Sequence, residues 1–161
     1  EFGDAHLAIT QDFAIVGMKG ISYKVISSFR LNLAMASDHP LAVYDELRPE
    51  LASQYTFYRV PALGEEEDRK LTLERCHKLG IEPKSIEFVP NFPTLFHKIR
   101  SKKGLSICGR FAFAESADAL KYLPLTDLDD LSTVVVAWRT DNLSAEAKGL
   151  VRMLPGDAVN V

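Results

Sequence analysis

ISYKVISSFRLNLAMAS (residues 21–37) runs straight into Asp38-His39-Pro40 and restarts as LAVYDEL (41–47). Ile21, Tyr23 and Val25, then Phe29, Leu31, Leu33 and Met35, recur at every second position. That is the period of a β-strand with one buried face. Ser27-Ser28 interrupts the alternation, which predicts a kinked or two-part strand ending at His39-Pro40. A proline pushes the residue before it toward an extended conformation, so Pro40 reads as a boundary in the chain. His39 is then either a chemical group or part of that boundary.

Working outward, LAIT (7–10) is a short apolar stretch that suits a buried strand. YTFYRV (55–60) is dense in aromatic and β-branched residues and stops at Pro61, a second strand signal. Gly64 is followed by Glu65, Glu66, Glu67 and Asp68, four acids that open a helix predicted to reach Leu79. Leu71, Cys76 and Leu79 define its apolar side, and Gly80 its stop. The acids complement the positive end of the helix dipole, which is a structural role; a carboxylate metal site is the rival. SIEFV (85–89) is a strand, and Asn91 with Pro93 starts a helix carrying Leu95, Phe96 and Ile99 and closed by Gly104. GLSIC (104–108) and STVVVAW (132–138) are strands; a helix is predicted from Phe111 to Leu120 and another from Leu143 to Leu154, capped near Asn142 or Ser144. Strands alternating with helices predict an α/β architecture with mostly parallel strands.

A chain of 161 residues, 47% hydrophobic and 25% charged, has the composition of a globular protein with a sizeable core. No apolar run approaches the roughly 20 residues that span a bilayer, so no membrane association is expected. EFGDAHLAIT carries no basic stretch followed by an apolar one, so no export signal is visible. The net charge of −3 argues against nucleic-acid binding by this piece alone. Its densest basic run, Lys98 to Lys103, fits a helix C-terminus. Cys76 and Cys108 lack a CxxC spacing and read as reduced core residues.

Catalytic motifs are missing. There is no GxSxG elbow, no phosphate-binding lysine loop and no GxGxxG. His6, His39, His77 and His97 are scattered, with no zinc spacing among them, and each reads as a surface or capping residue. No catalytic residue, metal ligand or cofactor is therefore expected. Ligands of open α/β sheets sit at the carboxyl ends of the strands. Here those loops are Val60-Pro61-Ala62-Leu63, Pro90-Asn91-Phe92-Pro93 and Cys108-Gly109-Arg110. Asn91 can cap its own helix, join the free backbone N–H groups after it in meeting a polar or anionic ligand at that helix N-terminus, or do both.

Five segments in order resemble the effector-binding region of LysR-type transcriptional regulators. DAHLAIT (4–10) resembles that family's "DLAI" strand, and SDHPLA (37–42) its "HPLA". KIRSKKGLSIC (98–108) is similar to its glycine-led strand, and LKYLPLTD (120–127) with VVVAWRTDNLSAEAKGL (134–150) to its closing part. The resemblance implies a two-lobed fold of the type 2 periplasmic-binding-protein kind. Residues 1–38 plus 137–161 would form a partial first lobe, lacking its opening strand-helix-strand-helix, and 39–136 a complete second lobe. A small-molecule effector would lie between the lobes, touching Pro61, Ala62, Leu63, Asn91 and Phe92 from the second and Thr10 from the first. Asp38, His39 and Pro40 would form a hinge.

The same resemblance implies a cytoplasmic bacterial regulator acting as a homodimer or tetramer, with DNA bound only through an N-terminal winged helix outside this chain. The family's Gly-Ser turn is altered here to Pro61-Ala62-Leu63-Gly64-Glu65. Leu63 in place of a hydroxyl, beside four acids, favours a neutral, cationic or partly apolar effector over a small carboxylate. Two other readings stay open: a solute-binding protein feeding a transporter, and a small enzyme on the same architecture.

Overall fold

The computed structural model describes residues 6–15, 17–62, 64–101, 104–109, 118–129 and 131–160. It divides into two compact units, one of residues 1–28 with 132–161 and one of residues 29–131. The long strand β2, Ile21–Ala36, contributes to both.

The 16-residue β2 is continuous, which corrects the expectation of a two-part strand broken at Ser27-Ser28. Serine carries its own N–H and has an ordinary φ range, so nothing there obliges a strand to stop. What changes along β2 is its company. In the first unit it neighbours β7 (Leu131–Arg139) and pairs through Ser22 and Tyr23 with β8 (Val159–Asn160). β1 (Ala8–Gln11) lies antiparallel on the other side of β7, with Thr10 opposite Val135. Alternate β7 residues face two clusters. Val135 and Ala137 pack with Ile15, and Val136 and Trp138 pack with Val151 of helix α4 (Ala145–Met153). Ser144 caps α4 by accepting from the Ala147 amide at 3.2 Å, the second of the two caps expected.

In the second unit β2 lies between β5 (Gly104–Gly109) and β6 (Leu120–Pro124), antiparallel to both. β3 (Thr56–Arg59) pairs in parallel with β5 on one side and with β4 (Ser85–Phe88) on the other. The prediction of mostly parallel strands is thus corrected: parallel pairing joins β3 to β4 and β5, while β1, β2, β6, β7 and β8 pair antiparallel. Sequence periodicity reports which face is buried and is blind to the direction of the neighbour. The predicted helix over 111–120 falls largely outside the described residues, and its last residue, Leu120, begins β6 instead.

Among the described residues, α2 (Glu65–Lys78) and α3 (Phe92–Arg100) cover opposite faces of this sheet, and the short helix α1 (Pro49–Ala52) adds Ala52 on the α2 face. Leu33, Met35, Phe57, Leu105 and Ile107 face a cluster that includes Cys76 and Leu79 from the α2 side. Ala34, Tyr58 and Val89 face the opposite cluster, with Leu95 and Ile99 of α3 (Phe92–Arg100). Neighbours in sequence such as Phe57 and Tyr58 therefore serve different cores, as strand geometry requires. Each fully buried leucine or isoleucine contributes about 1.5–3 kcal/mol. Helix α2 ends as predicted: Gly80, at φ +72°, donates to His77 O at 3.0 Å, and Ile81 donates to Cys76 O at 2.8 Å. Only glycine takes that left-handed turn at no cost.

Gly104 does not close α3; it is the first residue of β5. A Cβ there would lie 2.3 Å from Thr56 O and 2.6 Å from the Tyr58 ring, so close strand approach explains this glycine.

His39 is buried, at 1% exposure, and belongs to the second unit. Its Nδ1 accepts from the Leu41 amide at 3.1 Å and caps a 3-10 turn, Pro40–Val43. Its ring centroid lies 4.5 Å from that of Tyr55. Lys121 holds the following segment, donating to Ala42 O at 2.8 Å and Tyr44 O at 2.7 Å. Asp38 and Pro40 are exposed. His39→Ala removes both the cap and a buried ring, and is predicted to lower stability by about 2–3 kcal/mol. An unchanged urea midpoint would refute this.

Candidate functional site

β3 and β4 run in register, Thr56 opposite Ser85 and Arg59 opposite Phe88, and the Val89 amide donates to Arg59 O at 2.9 Å. Their carboxyl ends therefore finish together. The loops that follow bring Pro61 and Ala62 to the same edge as Asn91 and Phe92, and helices α2 and α3 both begin there. Gly109 ends β5, the other parallel neighbour of β3, at this edge. Pro61 is half-buried, Ala62 and Asn91 are exposed, and Phe92 is 44% exposed. The Asn91 side chain accepts from the Thr94 amide at 2.9 Å, so its capping role is real. Leu63 and Arg110 lie outside the described residues. Thr10 belongs to the other unit, half-buried on β1.

The residues that organise this edge are two that sequence reasoning does not single out. Arg59 Nε donates to Asp68 Oδ1 at 2.5 Å, and the Ala62 amide donates to Asp68 Oδ2 at 2.6 Å. Asp68 is fully buried, and the Arg59 side chain is 13% exposed. The carboxylate thus ties the end of β3, the loop after it and the first turn of α2 into one cluster. Burial lowers the Arg59 pKa from its ordinary value, and the adjacent Asp68 opposes that shift.

The four acids are therefore not alike: Glu65, Glu66 and Glu67 are exposed, while Asp68 is a buried ion-pair partner. A signal was present in the sequence. Asp68, Thr72 and Cys76 recur at spacing four and continue to Leu79, so Asp68 lies on the buried stripe of α2. Arg69, one residue on, donates to Ile86 O at 2.9 Å and lies over the Phe88 ring, tying α2 to β4.

Both cysteines are free. Burial pushes the Cys76 and Cys108 thiols up to about 12, with Ser106 and Arg59 pulling Cys108 the other way. Neither thiol is a ready nucleophile at neutral pH. Among the described residues, no group of three or more His, Cys, Asp or Glu is placed to hold a metal ion. No described helix is long and apolar enough to cross a membrane.

Parallel strand ends framed by helix N-termini are the ligand-binding arrangement of open α/β sheets. The family model of the LysR substrate binding domain matches residues 2–157, and the chain belongs to that family of regulatory, non-enzymatic domains. No curated protein matches the chain. Among solved structures, the effector binding domain of QuiR in complex with shikimate superposes with a TM-score of 0.73 at 19% identity, over 91% of this chain and 68% of that one. The Synechocystis CcmR regulatory domain in complex with 2-PG gives 0.73 at 14%, over 92% and 71%. Full-length BenM, as a mutant, gives 0.71 at 16%, over 96% of this chain and 55% of that one. At these identities the likeness is one of fold: a mixed α/β sheet of the LysR effector-binding kind.

Proposed function

We propose that this chain is the effector-sensing part of a cytoplasmic bacterial transcriptional regulator. A small molecule would be held between two lobes, with residues 1–38 plus 137–161 as the first and 39–136 as the second. Binding would change the geometry of a dimer or tetramer whose DNA contacts come from an N-terminal domain. Such a switch is a population shift, and it requires the ligand to bind one arrangement more tightly than the other.

The observation that carries this reading is the edge where β3, β4 and β5 end together, gathering Pro61, Ala62, Asn91 and Phe92 beside two helix N-termini. Leu63 and Thr10 complete the proposed contact set, and Asp38, His39 and Pro40 the proposed hinge. Relatives of this fold are solved with shikimate, 2-PG and benzoate, which supports a small organic effector as the ligand class. With Glu65, Glu66 and Glu67 exposed at the same edge, a neutral, cationic or partly apolar molecule fits better than a small acid.

The test is a thermal-shift screen of amines, amino acids, neutral aromatics and aromatic acids. A ligand at a hundredfold excess over its dissociation constant stabilises the folded state by about 2.7 kcal/mol. At least one neutral or cationic compound should raise the melting temperature saturably. No stabiliser across the panel would sink the sensor reading.

A further inference from the structure

Arg59 and the Ala62 amide are the kind of donor pair that recognises a carboxylate: a planar cation beside a backbone N–H on a loop at the proposed ligand edge. Both already hold one. Asp68 supplies it from within the chain, one oxygen to each donor, at 2.5 and 2.6 Å, and is itself fully buried. We propose that Asp68 is the specificity-determining residue of this edge. Its carboxylate occupies the seat an acidic effector would take, and so turns the site toward ligands that lack one.

The proposal rests on the sensor reading for its biological meaning and on the Asp68 geometry for its chemistry. A carboxylate pre-positioned by its own chain has an effective concentration far above that of a free acid at millimolar levels. To enter, a free acid would have to displace charge-assisted bonds in a mostly buried cluster. It would also approach past the exposed Glu65, Glu66 and Glu67, whose repulsion is felt over about 8 Å at physiological salt. Both effects have the same sign.

The experiment compares the melting temperature of the full chain in sodium acetate and in sodium chloride at equal ionic strength. Wild type should respond alike to the two salts. Asp68→Ala, which vacates the seat, should melt lower in chloride and gain a saturable, acetate-specific rise. That rise should be about 4 °C once acetate exceeds its dissociation constant about tenfold.

Adding Arg59→Met to Asp68→Ala should abolish the rise. Asp68→Ser vacates most of the same volume while keeping a hydroxyl at that turn of the helix; it should show a smaller acetate-specific rise, which keeps the test open if the alanine variant does not fold. No acetate-specific rise in either single variant overturns the proposal, as does an equal rise in wild type. The two readings fail separately. Acetate rescue with an empty ligand screen would remove the sensor and keep the Asp68 assignment. A small acid that stabilises wild type and loses that effect in Arg59→Met would do the reverse.

Discussion

Arg59→Met is expected to destabilise the protein by about 3–5 kcal/mol, the loss typical of a buried ion pair deprived of one partner. Asp68, fully buried, would either keep its charge without the guanidinium beside it or take up a proton, while the Ala62 amide still donates to its other oxygen. The methionine replaces the arginine stem well in volume, so lost packing is a small part of the effect. The double variant Arg59→Met/Asp68→Leu isolates the charge. An apolar pair of similar size often matches a buried ion pair, so most of the loss should return. It should not return completely, because the Ala62 amide loses a charged acceptor, and a hydrogen bond to a charged group contributes about 1.5–3 kcal/mol. Urea denaturation reads all three proteins. A single variant within about 1 kcal/mol of wild type would show that the cluster matters little to stability.

Gly104→Ala is expected to cost about 3 kcal/mol, large for the addition of one methyl group. The added Cβ would sit 2.3 Å from Thr56 O and 2.6 Å from the Tyr58 ring. One neighbour is backbone and the other a buried ring, so neither can move away without cost. Thr56 is the residue paired with Gly104 where β3 meets β5, so the strand contact itself must open. Gly149→Ala is the control. It lies within α4, where an added Cβ would have nothing within 4 Å, and should stabilise by up to about 1 kcal/mol through helix propensity. If both substitutions shift the urea midpoint alike, the close approach at Gly104 is not what requires a glycine there.

Several elements are legible in the sequence because their causes are local. YTFYRV, SIEFV and GLSIC form strands, and Asn91 and Ser144 cap the helices they precede. These follow from alternation, side-chain branching and the reach of a short polar side chain to an amide three residues on. The family follows from the order of such pieces. Strand direction is not legible, and neither is the continuity of β2, because a change of partners along a strand leaves no mark on its own residues.

The site divides in the same way. Asn91 and the loop at Pro61 and Ala62 are identifiable, because capping and strand ends are written in adjacent residues. His39 is visible as a cap; its burial against Tyr55 is not, because that contact joins residues far apart in sequence. Glu65 to Asp68 look like one run of acids. Adjacent residues alone fix that they open a helix. That one of the four is buried on Arg59 and the Ala62 amide follows from packing, because which carboxylate leaves water depends on which face of the helix the sheet covers.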